Sequence, residues 1–188
     1  MNVFFFNTKQ TKKTIKFIFL KEEIIMANVF DLVKGEAHVV CESSRLKATI
    51  AGHIYDLQVA KKTDNGTIVS VGEHVEGQVF AAKEYVAGEK PYLILTPPFA
   101  YNGKRLWSDE KYFYNEVGEI ARAYELHVGD IYTISKEAFV GEPAVGKYVD
   151  AKYAVAEEAG ESGFVGLIIE EVNYTNSVSY RIRVVSIG

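Results

Sequence analysis

The apolar residues of this chain come in short runs, and turn-forming residues interrupt them at close intervals. Such punctuation predicts many short strands rather than long helices. Residues 37–41 and 46–50 read as strands. Residues 54–59 set Ile54, Asp56 and Gln58 against Tyr55, Leu57 and Val59, the two-residue period of a half-buried strand. Asp64-Asn65-Gly66 then leads into Thr67-Ile68-Val69-Ser70-Val71. Asn-Gly tolerates positive φ at two consecutive positions, which a tight hairpin turn requires, so a hairpin is expected here. Residues 78–83 and 92–96 continue in strand style. Pro97-Pro98 closes the second of these, because proline cannot donate to a ladder.

Residues 118–127 fit two periods. Ile120, Ala123, Tyr124 and His127 share one side of a helix, whereas Ile120, Arg122 and Tyr124 alternate with alanines. The alternation favours a strand. Val128-Gly129-Asp130 predicts a turn before a strand at 131–135, and residues 136–139 a single helical turn. Residues 147–155 alternate, and 157–163 form a polar loop. Residues 164–172 and 178–187 flank Thr175-Asn176-Ser177 as a closing hairpin. Val178, Tyr180, Ile182 and Val184 lie on one face of the last strand. About eight to eleven strands with little helix predict a mainly β fold. The expected architecture is a compact antiparallel β-barrel or β-sandwich, one domain over residues 26–188.

Composition narrows the function. With 48% hydrophobic and 24% charged residues the chain has the make-up of a folded protein. Its 12 Tyr and 11 Phe suit strands. A net charge of −4 argues against a nucleic-acid binder, which needs a basic footprint. The single Cys41 forms no internal disulfide and no cysteine-rich zinc site. Its run, Val39-Val40-Cys41, predicts a small buried hydrophobe. No apolar run reaches the roughly 18 residues of a bilayer-crossing helix, so no membrane partner is expected.

Residues 1–25 differ from the rest. Lys9, Lys12, Lys13, Lys16 and Lys21 outnumber Glu22 and Glu23, so a basic leader precedes an acidic body. Its apolar pieces are short, split by lysines and not followed by a small-residue cleavage site, which does not fit a signal peptide. Lys21-Glu22-Glu23 can be encoded AAG GAG GAA, a bacterial ribosome-binding sequence, a few codons before Met26. The expectation is that translation starts at Met26 and that 1–25 are an upstream stretch; an amphipathic helix or flexible β arm is the alternative.

Candidate chemistry is sparse. His38, His53, His74 and His127 stand at no metal-ligand spacing along the chain, so turn or partly buried histidines are expected and no metal or cofactor. His127 and Asp130 flank a turn, an offset that can orient an imidazole, but no nucleophile accompanies them. No phosphate-binding glycine loop occurs. Glu157, Glu158, Glu161, Glu170 and Glu171 read as solvated faces and loops, although a glycosidase carboxylate pair among the acids is a third reading. Phe99, Tyr101, Arg105, Trp107, Tyr112 and Tyr114, in a stretch that also holds Lys111 and Phe113, are better suited to a surface role. Such aromatics with nearby cations anchor protein contacts or stack on sugars, unless half of them fill the core.

Three segments together carry a resemblance. They are Met26-Ala27-Asn28-Val29-Phe30, Asp64-Asn65-Gly66-Thr67-Ile68-Val69, and Ala123-Tyr124-Glu125-Leu126-His127-Val128-Gly129-Asp130-Ile131-Tyr132-Thr133-Ile134-Ser135. The chain resembles the small head proteins of tailed bacteriophages, the capsid decoration, head cement or head-fibre base proteins encoded beside the major capsid protein. The resemblance implies a non-enzymatic virion protein on the capsid exterior, assembled in the bacterial host cytoplasm. The major capsid protein would be its partner, a homo-oligomer being possible. With no fibrous tail in the sequence, a compact decoration protein is expected rather than a whole fibre. Expected contacts are Phe99, Tyr101, Arg105, Trp107, Tyr112 and Tyr114, with Val29, Phe30 and Leu32 of a short apolar arm that can add to a neighbour's sheet or groove. The alternative is a carbohydrate-binding or host-attachment module using the same aromatics.

Overall fold

The computed structural model describes residues 37–98 and 110–188. The leader 1–25, the start at Met26, and Val29, Phe30, Leu32, Phe99, Tyr101, Arg105 and Trp107 lie outside the described residues.

The described chain is mainly β, built from a small closed barrel and a six-stranded sheet. In chain order the strands are β1 (Cys41–Arg45), β2 (Ile54–Gln58), β3 (Ile68–Glu76), β4 (Val79–Glu84), β5 (Tyr92–Ile94), β6 (Ile120–Glu125), β7 (Ile131–Ser135), β8 (Tyr148–Val149), β9 (Val155–Ala156), β10 (Phe164–Tyr174) and β11 (Ser177–Ile187). One short helix, α1 (Lys47–Ala51), follows β1. The barrel runs β2-β4-β3-β5-β6 and the sheet β1-β7-β11-β10-β8-β9. The β2–β4 pairing in the barrel is parallel, while the other named pairings are antiparallel.

Side-chain size explains how so few strands close. Leu57, Val59, Val69, Tyr92, Ile94, Ala121 and Ala123 fill the barrel interior. Alanines on β6 leave room for the Tyr55 and Tyr92 rings, which meet edge to face at 5.0 Å. Small residues opposite large ones are how a narrow barrel packs. The strand expected at 118–127 is therefore present as β6, with its alanines inward and Ile120 outward, 50% exposed.

Barrel and sheet share the second core. Ile68, Leu93 and Leu126 on the outside of the barrel pack with Cys41, Tyr132, Ile134, Val149, Tyr153, Phe164, Ile168, Tyr180, Ile182 and Val184 of the sheet side. Strand β5 faces both cores: Tyr92 and Ile94 point into the barrel and Leu93 into the sheet interface. This is why it reads as an unbroken apolar run. Each large side chain buried there contributes about 1.5–3 kcal/mol.

Several local expectations are corrected by long-range partners. Residues 46–50 are not a strand: Asp130 Oδ1 accepts the Lys47 backbone N–H at 3.0 Å, satisfying a free amide of the first turn of α1. Gly52, at φ +75°, ends that helix. Residues 37–40 are irregular. The His38, Val39 and Val40 amides donate to Lys111 O, Asp64 Oδ2 and Ser135 Oγ, and only from Cys41 does the ladder to β7 begin. Residues 147–155 are split into β8 and β9 by a turn in which Asp150 Oδ1 accepts the Lys152 and Ala154 amides.

The Asn65-Gly66 turn forms, but it is not a hairpin. Gly66 has φ +89°, Asn65 does not have positive φ, and β2 pairs with β4 and β6 rather than β3. Asn65 instead acts as a strand surrogate: its Oδ1 accepts the Thr96 amide at 3.0 Å and its Nδ2 donates to Thr96 O at 2.9 Å. The two-residue hairpin turn sits at Thr175-Asn176, both at positive φ, joining β10 to β11.

Candidate functional site

The described residues nearest to the two segments singled out by the sequence come together. The His38 amide donates to Lys111 O at 2.7 Å, so the chain at 38 is fixed to the chain at 111. A groove of about 270 Å³ beside β1 is lined by residues from Val39 to Ser43, by Pro97 and Pro98, and by Glu110, Tyr124 and Tyr174. Residues 98 and 110, which bracket the first part of the aromatic segment, both line this groove. Tyr174 clamps the far flank, its hydroxyl donating to Glu110 Oε2 at 3.0 Å. Burial, then the Glu110 charge, pushes that phenol's pKa up.

Of the expected contact residues, Tyr112 and Tyr114 are described. Tyr112 ends a 3-10 turn (Glu110–Tyr112) and is half-buried. Tyr114 is also half-buried; its ring lies 4.6 Å from that of His38, with Lys62 Nζ 4.2 Å above it. Phe113, between them, belongs to the interior. The aromatic stretch therefore divides at 112–114, with Phe113 in the core and its two neighbours half-buried. Strand β1 is an edge of the sheet, and four of its five residues are exposed.

A groove of about 970 Å³ runs between barrel and sheet, lined among others by His38, Lys61, Lys62, Asp64, Tyr85 and Lys152. Both of its acids are already engaged, Glu84 with Lys152 at 2.6 Å. Asp64 Oδ1 takes His38 Nδ1 at 2.8 Å and Oδ2 takes the Val39 amide at 3.3 Å, which fixes the incoming chain. Tyr153 closes the inner end, its hydroxyl donating to Gly66 O at 2.6 Å. Cys41 is buried, and burial pushes its thiol pKa far up, the opposite of what a nucleophilic cysteine needs.

The third arrangement was not visible in the sequence. His53, which precedes β2, comes beside Glu125 at the end of β6, and His127 follows two residues later. Glu125 N donates to His53 O at 3.1 Å. His53 Nδ1 lies 3.4 Å from Glu125 Oε2, and His127 Nε2 lies 3.6 Å from Oε1. One ligand atom from each residue lies within 4.8 Å of the other two. The Glu125 side chain is only 7% exposed, with Lys90 Nζ 2.8 Å from Oε1. Hydrogen bonding to Glu125 raises the Lys90 pKa. Histidines that stand at no ligand spacing along the chain thus converge on one carboxylate in space. Glu125-x-His127 on a strand-like run was the available signal, since residues two apart share a face; His53 gave none.

The expected orientation of His127 by Asp130 is corrected. The Asp130 carboxylate accepts the His127 backbone amide at 2.8 Å and the Lys47 amide at 3.0 Å. His127 Nδ1 lies 3.9 Å from Asp130 Oδ2 and 3.2 Å from Glu125 O. Asp130 shapes the turn, and the Glu125 carbonyl orients the ring. His74 lies exposed near the β3–β4 turn, with Nε2 3.0 Å from Gly77 O.

No family model, no curated protein and no solved structure matches the chain. Among the described residues no helix is long and apolar enough to cross a membrane.

Proposed function

We propose that this protein is a structural virion component that binds the outside of an assembled bacteriophage capsid and stabilises it, without catalysing a reaction. The observation that carries the reading is the common attachment of two segments. His38, a few positions after the expected arm at 27–32, and Lys111, within the aromatic segment 99–114, are fixed to each other by a backbone hydrogen bond, and β1 beyond His38 is an exposed edge. Aromatic anchors next to a strand edge suit docking on another protein, because backbone pairing supplies affinity and side-chain pockets supply specificity.

The physics of the role is linkage. A ligand that binds the assembled shell and not its separated subunits stabilises the shell by mass action. A contact of about 800 Å² per partner is sufficient for specific binding. The acidic body would also keep the protein away from packaged DNA.

Mass spectrometry of virions purified from the source tests the reading. The expected result is this chain at high, symmetric copy number, with an N-terminal peptide that begins at residue 26 or 27. Its absence from washed particles overturns the virion role, and a peptide beginning at Met1 overturns the late start. Addition of the purified protein to shells lacking it should give saturable co-sedimentation, weakened by Trp107→Ala. Binding of the pure protein to cell walls or glycans, lost in that same variant, would instead identify an attachment module.

A further inference from the structure

We infer that His53, Glu125 and His127 form a binding site for one divalent transition-metal ion of the zinc class. The inference is independent of the capsid reading and rests on the ligand geometry.

A tetrahedral zinc ion with bonds of about 2.0–2.2 Å places its ligands about 3.3 Å apart. Each imidazole already stands close to that distance from one oxygen of the carboxylate: His53 Nδ1 to Glu125 Oε2 is 3.4 Å and His127 Nε2 to Glu125 Oε1 is 3.6 Å. The histidine–histidine edge lies within 4.8 Å. His53, 49% exposed in its side chain, can close it by a small ring rotation. The imidazoles face different oxygens of one carboxylate, so an ion between them can take Glu125 through one oxygen or both.

The hydrogen bonds set the right tautomer. His127 Nδ1 lies 3.2 Å from the Glu125 carbonyl oxygen. A carbonyl only accepts, so Nδ1 carries a proton, and whenever the ring is neutral its lone pair is on Nε2. That lone pair faces Glu125 Oε1, which is also an acceptor. A cation between these two acceptors would satisfy both, whereas Lys90 Nζ pairs with Oε1 alone. A ligating histidine whose other nitrogen donates to a backbone carbonyl is the usual outer-shell arrangement of protein metal sites. The mount is stiff, because Glu125 is the last residue of β6, His53 lies directly across the ladder, and Asp130 fixes the His127 amide. Glu125 is held on a strand, and the two histidines sit within two residues of strand ends, which limits their freedom.

Imidazole and carboxylate donors suit zinc, cobalt, nickel and copper rather than magnesium or calcium, which prefer all-oxygen sets. Three protein ligands leave a fourth position on the solvent side, next to His53. Water or a donor from another molecule can take it. Lys90 is the competing cation. Its ammonium binds Oε1 from the outside and its side chain is 67% exposed, so it can yield when an ion enters.

The test uses the full chain, stripped with a chelator and titrated with zinc chloride by calorimetry. Cobalt(II) absorption reports the coordination, and imidazole NMR reports which rings respond. The expected result is one ion per chain, with the His53 and His127 ring signals shifting and those of His38 and His74 unmoved. His53→Ala and His127→Ala should each weaken binding about tenfold or more, and His74→Ala should leave it unchanged. Zinc should raise the melting temperature of the wild type and not that of His53→Ala. Glu125→Gln is a further ligand test, but its buried position can compromise folding; the half-exposed His53 keeps the inference testable without it. Failure to bind one equivalent, wild-type affinity in both histidine variants, or shifts confined to His38 and His74 would overturn it.

Discussion

Gly66 joins the two halves of the molecule at a single residue. Its amide donates to Ile94 O at 2.7 Å and its carbonyl accepts the Tyr153 hydroxyl at 2.6 Å. A Cβ placed there would lie 2.6 Å from Ile134 Cδ1, on a backbone at φ +89°. Gly66→Ala therefore combines left-handed strain with overpacking and should cost at least about 2 kcal/mol, read as a lower urea midpoint with an unchanged slope. Tyr153 holds the same contact from the other side while itself at φ +58°, an uncommon conformation for a bulky residue. The sequence announced a positive-φ glycine here, and that part was legible. It could not announce that Asp64 and Asn65 would bond with His38, Val39 and Thr96 rather than with their own turn, because those partners are some 25 to 31 positions away. The same distance hid the ligand cluster, since His53 and Glu125 meet only once β2 pairs with β6.

Among the elements, those with local causes were readable and those with distant causes were not. The β10–β11 hairpin, the turn at Gly129 and the single helical turn at Lys136–Ala138 follow from residues within a few positions of one another. Helix α1 does not: apolar and β-branched residues at 46–50 suggest a strand, and the carboxylate that stabilises the first turn comes from Asp130. The hairpin turn itself is chemically unusual. Thr175, β-branched, has φ +50° beside Asn176 at +59°. Asparagine tolerates that region far better than threonine. Thr175→Asn should stabilise the protein by roughly 0.5–1 kcal/mol, seen as a higher urea midpoint. No gain would show that the loop is not held in this conformation in solution.

For the whole molecule, the mainly β class and the count of strands could be read from punctuation and alternation. The pairing of β2 with β4, which closes the barrel, could not, because a parallel neighbour leaves no local turn signal. Burial raises the phenol pKa of Tyr132 and Tyr153 in the shared core, and chiefly burial also raises those of Tyr92 and Tyr174. Below pH about 10 these groups are protonated in folded and unfolded chains alike, and their contribution is intact. Above it the unfolded chain ionises first, so stability must fall as pH rises. A tyrosinate titration should show a late, steep phase that coincides with loss of circular dichroism; a gradual titration of all tyrosines while the fold persists would contradict this. The route of the chain has its own consequence. It leaves the sheet at Arg45, builds the entire barrel, and returns at Ile131 directly opposite Arg45. Strand β1 can dock only after that long excursion has been closed, which places its pairing late in folding. Until then the outer border of β7 is bare, and crowded newly made chains would be at their most prone to stick to one another during that interval.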